Sequence, residues 1–259
     1  MMQESLRLWR AENLKERHSI GGKLWILMPV LTFLLAYGIS QQNGVSSAYN
    51  WWYTTMLPGM TALAACLHGE KDKKLSERAA LCLPAAPKKL WDAKVAACMK
   101  TVVLANVLGG GLNLILGNYL IPRFWISQSL ELGVFETIQA AAVMTVTVLW
   151  QVPFCLLLYY RWGILPALIV NMVMNIAGVV MAPGPFWILN PWAAPSRLMT
   201  GVIGVLPNGL LAIPGSVTYT PGIEGSGAIL PGVVVTALWL VLCWAVSRIW
   251  YVRKGAQAV

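Results

Sequence analysis

The chain has 259 residues, of which 58% are hydrophobic and 11% charged, with a mean hydropathy of +0.64. A soluble domain carries about 25% charged residues, so this chain cannot cover its apolar surface with polar groups, and lipid is its expected solvent. The net charge of +9 raises nucleic acid as a partner, but its distribution along the chain, taken up below, argues for membrane topology instead. The apolar runs are long and unbroken, unlike barrel strands, which alternate over about ten residues. At about 20 residues per crossing, they provide for about six helices in one integral membrane domain.

Residues 3–18 are predicted to form an amphipathic helix lying on the membrane surface, with Leu6, Trp9 and Leu14 on one face. Gly21-Gly22-Lys23 superficially resembles a phosphate loop. It lacks the upstream glycine and the hydroxyl residue after the lysine, and no strand precedes it. A first crossing is expected over 24–41 and a second over 51–68, opened by the interfacial aromatics Trp51, Trp52 and Tyr53. His68 falls at the end of the second crossing, with no second ligand nearby.

Residues 69–90 are the one long charged segment between two apolar ones. Ser76 to Leu83 suits a short helix that Pro84 stops, and Pro87 suits the first turn of the next helix. That helix becomes the third crossing, 91–120. A helix from 87 to 120 would be about 50 Å long, so its first turns are expected to project into water. Gly109, Gly110 and Gly111 either admit a neighbouring helix closely or loosen the helix locally.

The fourth crossing is expected over 136–160, with Gln151 and Pro153 inside it, and the fifth over 163–182, with Arg161 marking the very short turn between them. Asn171 and Asn175 share a face of the fifth. They serve either interhelical hydrogen bonds or a substrate path. Residues 183–229 are apolar but cut by seven prolines, so short or re-entrant pieces packed on the bundle are expected there, notably 195–206. The sixth crossing is 230–251.

With both termini (from Arg248 onward at the C-terminal end), residues 69–100 and Arg161 on one side, that side holds 17 of the 19 Lys and Arg residues and seven of the ten acidic ones. Only Arg123 and Arg197 among the basic residues fall on the other side. This is the positive-inside pattern, and it leaves nucleic acid no role. The spans hold no ionisable side chain at mid-depth and no catalytic or nucleotide-binding motif. Energised work would therefore have to draw on a partner.

This layout resembles an ABC-2 type transporter permease. Three pieces are similar to the E-type permease subunit of lantibiotic-immunity transporters: YNWWYTTMLPG (49–59), EKDKKLSERAALCLPAAPKKLWDAKV (70–95) and NPWAAPSRLMTGVIGVLPNG (190–209). The resemblance implies an all-α polytopic fold with six transmembrane helices, an N-terminal interfacial helix, a cytoplasmic coupling helix between the second and third, and a re-entrant outer segment between the fifth and sixth. It implies a bacterial plasma-membrane complex with two copies of a cytoplasmic ATPase and a second permease, either a G-type chain or another copy. That complex would return lantibiotic peptide from the membrane to the medium. ATP and Mg would sit on the ATPase, and this chain would bind no cofactor. The resemblance assigns ATPase docking to Lys74, Leu75, Glu77, Arg78, Leu81 and Leu83, with Arg161 as a second contact. The residues assigned to a substrate path are Trp51, Trp52, Asn171, Asn175, Trp187 and Trp192. Two alternatives stand beside this reading: export of another hydrophobic substrate or lipid, and a ligand-binding sensor subunit that does not transport.

Overall fold

The computed structural model describes residues 2–17, 19–74 and 85–257. Helices account for nearly all regular structure among them, and the only β pairing is an isolated antiparallel bridge between Val205 and Leu211. Five stretches are long and apolar enough to cross a membrane: Gly21–Lys73, Pro87–Phe124, Val134–Trp162, Ile164–Met181 and Ser226–Lys254. The chain is an all-helical, membrane-embedded protein.

Helix α1 (Met2–Glu16) leads through a tight turn at Gly21–Lys23 into α2 (Leu24–Ser40). The backbone then leaves the helical region at Gln41, with φ 44° and ψ −103°. It resumes as α3 (Gly44–Trp51), a π-helical segment (Trp52–Met56) and α4 (Leu57–Lys74). The break at Gln41 turns the chain back on itself. Tyr37 lies against Gly44, Phe33 lies 6.2 Å from Trp52 between ring centroids, and Gly21 lies against Leu67. So α2 runs antiparallel to α3 and α4.

Helix α5 (Pro87–Ile115) starts on a proline, which costs no hydrogen bond at that position. It continues through a second π segment (Leu116–Leu120) into α6 (Ile121–Phe124). Its glycines serve packing at two positions. A Cβ on Gly109 would meet the Phe33 ring at 3.2 Å, and one on Gly110 would meet Thr137 at 3.4 Å.

Helix α7 (Val134–Val148) gives way to α8 (Gln151–Trp162) because Pro153 has no N–H for the Leu149 carbonyl. The Val152 N–H reaches that carbonyl instead, at 3.1 Å, and tightens the turn. Gly163, at φ +95°, makes the sharp link into α9 (Ile164–Met181).

Helix α9 is apolar on the outside. Leu165, Ile169, Val173, Ile176 and Val180 are exposed, while Ala167, Asn171, Asn175 and Gly178 are buried. Lipid explains this inversion, because small and polar residues hold membrane helices together while leucines and valines face the tails. The remainder is a compact cap made of tight turns at Trp187–Leu189 and Pro191–Ala193, helix α10 (Ala194–Ile203) and an irregular stretch, followed by the long α11 (Ile229–Gln257). The buried face of α10 includes Leu198, Met199 and Ile203, so the proline-cut segment packs on the bundle.

Candidate functional site

The charged residues gather at one end, beneath α1. Lys94 is 1% exposed, and its ammonium donates to Asp72 and lies 3.6 Å from Glu12. Lys15 joins the same carboxylates, at 3.0 Å from Asp72 and 2.6 Å from Glu12. Glu16 is held by Lys71 at 3.2 Å and by the Ser19 hydroxyl at 2.6 Å. At the start of α1, Lys89 donates to Glu4, and that bond draws the Glu4 carboxyl below its ordinary pKa.

One expectation is corrected here. The first turns of α5 do not project freely into water, because Leu90, Trp91 and Lys94 are buried. The reason lies on α1, which turns Glu12 inward to help neutralise Lys94 and Glu16 inward to meet Lys71, and leaves Leu6 and Leu14 outward. His68, at the end of the second expected crossing, is buried in the bundle. It is 3% exposed and its Nδ1 donates to the Ala64 carbonyl at 2.8 Å.

Of the residues assigned to ATPase docking, Leu75, Glu77, Arg78, Leu81 and Leu83 lie outside the described residues, as does the expected coupling helix that carries them. Lys74 is the last residue of α4. One residue earlier, Lys73 donates to the Tyr159 carbonyl at 2.8 Å and sits 4.6 Å above the Tyr159 ring. This ties the start of the loop to the end of α8, where Arg161 lines a cavity of about 670 Å³ with Trp162, Trp250, Arg253 and Lys254. Lys74 and Arg161 therefore sit at the same end of the bundle.

The residues assigned to a substrate path divide into two groups. Asn171 and Asn175 are buried and bonded. Asn171 donates to the Pro58 carbonyl and to Gln151, both at 3.0 Å, and accepts from the Trp192 indole at 3.0 Å. Asn175 donates to the Thr54 carbonyl. That acceptor is available because Pro58, four residues on, has no N–H to give it. Trp192 also packs edge-on against Trp150 at 4.5 Å. Trp52 is buried against α5, donating to Asn106 at 2.8 Å. Trp51 and Trp187 lie towards the cap. Trp51 is half-buried and lines a cavity of about 460 Å³ with Asn50, Ser46 and residues 208–211. Trp187 lies 6.0 Å from the Arg197 guanidinium, whose Nε and Nη1 are buried without a hydrogen-bond partner among the described residues. Burial holds that guanidinium below its ordinary pKa.

No protein-family model, curated protein or solved structure matches this chain. Its site is therefore argued from its own geometry. Sequence reasoning missed the ionic cluster of Glu12, Lys15, Asp72 and Lys94. The available signal was the pair Glu12 and Glu16, one turn apart in a basic helix. Among the described residues, no group of His, Cys, Asp and Glu is arranged to hold a metal ion.

Proposed function

We propose that this chain is the permease subunit of an ATP-driven ABC-2 type exporter that removes lantibiotic peptide from the membrane, with a separate cytoplasmic ATPase supplying the energy. In this reading Gly21–Lys73 crosses twice, reversing at Gln41, so the five apolar stretches make six crossings and return both ends of the chain to the cytoplasmic side. The basic end then faces the cytosol, as the positive-inside rule requires.

One observation supports the reading most: both flanks of the charged loop are locked to each other. Asp72, at the end of α4, precedes the segment 75–84, Lys94 on α5 follows it, and the two form a buried pair that α1 closes with Lys15 and Glu12. A push on the intervening segment 75–84 would reach α4, α5 and α1 as one body. The ATPase dimer, closing on ATP, would deliver that push through Leu75, Glu77, Arg78, Leu81 and Leu83, with Arg161 as a second contact. The amides of Asn171 and Asn175 are engaged inside the bundle, so the reading keeps Trp51 and its outer cavity as the substrate-facing group.

The test is the double variant Glu77→Ala with Arg78→Ala in the assembled transporter. It should reduce co-purifying ATPase and transport-linked hydrolysis by about tenfold or more, since two charged contacts are lost. Unchanged assembly and unchanged hydrolysis would defeat the docking role. Protection of cells without any ATP hydrolysis would favour ligand capture instead.

A further inference from the structure

A cavity of about 560 Å³ opens between α1 and the neighbouring parts of α2, α4 and α5. Its volume falls within the range of small-ligand sites. Its walls include Trp9, Arg10, Arg17, Trp25, His68 and Lys100. The one carboxylate among its described lining residues, Glu16, is already neutralised by Lys71 at 3.2 Å and bonded by Ser19 at 2.6 Å. Three cations therefore face the cavity with no counter-charge left for them among the described residues.

Lys100 is held in place for a ligand. It donates to the Asn13 side-chain oxygen, and Asn13 is itself fixed by its bond to the Trp9 carbonyl at 2.7 Å. The ammonium also lies 5.7 Å from the centre of the Trp9 ring. An ammonium has three N–H donors, and the bond to Asn13 uses one. Arg10 and Arg17 are exposed, and neither has an ion-pair partner among the described residues.

The surroundings select the kind of anion. Leu14 lines the cavity and is 64% exposed, and Ile20, Ile26 and Leu27, within two residues of the lining residues Gly22 and Trp25 in the chain, are exposed apolar side chains. Tryptophans such as Trp9 and Trp25 are the residues found at headgroup depth. A free phosphate would use the cations and waste this apolar rim, whereas a phospholipid uses both. We infer that the cavity is a seat for an anionic phospholipid, its phosphate held by Arg10, Arg17 and Lys100 and its acyl chains lying along Leu14, Ile20 and α2. The site would fasten α1 to the bundle through lipid as well as through the ionic cluster. It stands whether or not the chain docks an ATPase.

Native mass spectrometry of the full chain in neutral detergent tests this, with added phosphatidylglycerol or phosphatidylcholine of identical acyl chains. The wild type should retain phosphatidylglycerol preferentially. The variant Arg10→Gln with Arg17→Gln removes only exposed side chains. It should keep the wild-type melting temperature and lose retention by about tenfold, as expected for two charged contacts. Lys100→Gln should also lose retention, and Lys100→Arg should keep it. Millimolar inorganic phosphate should not displace the lipid. Equal retention of both lipids, undiminished retention by the folded double variant, or displacement by free phosphate would each overturn the inference.

Discussion

At the residue scale, the decisive side chain is Lys94, which carries its charge at 1% exposure. Such a charge is tolerated only when partners replace water, and here they are Asp72 and Glu12. Removing one member of a buried pair costs about 3–5 kcal/mol, because the other is left without compensation. Asp72→Ala should accordingly lower the melting temperature sharply. The double change Asp72→Leu with Lys94→Met should recover most of that loss. A double variant no more stable than the single would contradict this role for the pair. Arg197 is the opposite case, since two of its nitrogens are buried and unbonded among the described residues. Unsatisfied buried donors cost about 1–3 kcal/mol, while its contact with Trp187 returns about 0.5–1 kcal/mol. Arg197→Met should therefore leave thermal stability equal or raised by about 1 kcal/mol, and a clear loss would refute the argument. Neither situation was legible in the sequence. The Lys15–Asp72 and Lys94–Asp72 bonds join residues 57 and 22 positions apart, and no local pattern encodes such pairings.

At the element scale, prolines decide where helices bend and which carbonyls remain for other groups. Pro58 follows the π segment Trp52–Met56, and Asn175 of α9 takes the Thr54 carbonyl that Pro58 leaves open. A double-mutant cycle measures this coupling. Asn175→Ala should cost about 1 kcal/mol in the natural chain. It should cost less in a Pro58→Ala background, where the residue 58 N–H can serve Thr54. Equal costs in both backgrounds would show that the two groups are independent. Gly178 makes a second close joint, since a Cβ there would fall 2.5 Å from the Trp192 backbone carbonyl carbon. Gly178→Ala should destabilise the protein by about 1–3 kcal/mol, the usual cost of overpacking, and an unchanged thermal midpoint would disprove it. The sequence shows each proline and each glycine, so bends and close approaches could be anticipated. It does not show which helix arrives to use them. The Asn171 and Asn175 spacing announced a polar face, but its partners Pro58, Gln151 and Trp192 come from three other segments.

At the scale of the whole molecule, the all-helical, membrane-embedded character was legible because lipid leaves long apolar runs little choice but helix. The inverted face of α9 was partly legible, since its asparagines fall every fourth residue among aliphatics. The seating of α1 was not. Amphipathic spacing directed attention to Leu6 and Leu14, while the acidic face with Glu12 and Glu16 is the one that docks. The result is a bundle with most of its basic groups gathered at one end and a compact cap at the other. At the basic end, α1, Asp72 and Lys94 bind together the two flanks of the charged loop. The proposal that this end receives force from an ATPase is the central claim, because no nucleotide motif occurs within the chain itself. It is tested most directly by purifying the tagged chain, at its natural level, from its own membranes in mild detergent. The composition and ATP hydrolysis of the eluate are then measured. Two ATPase copies and a second permease chain should co-elute with it, and hydrolysis should fall when Glu77 and Arg78 are replaced. An intact, folded chain that elutes without any ATPase and without hydrolysis would contradict the central claim.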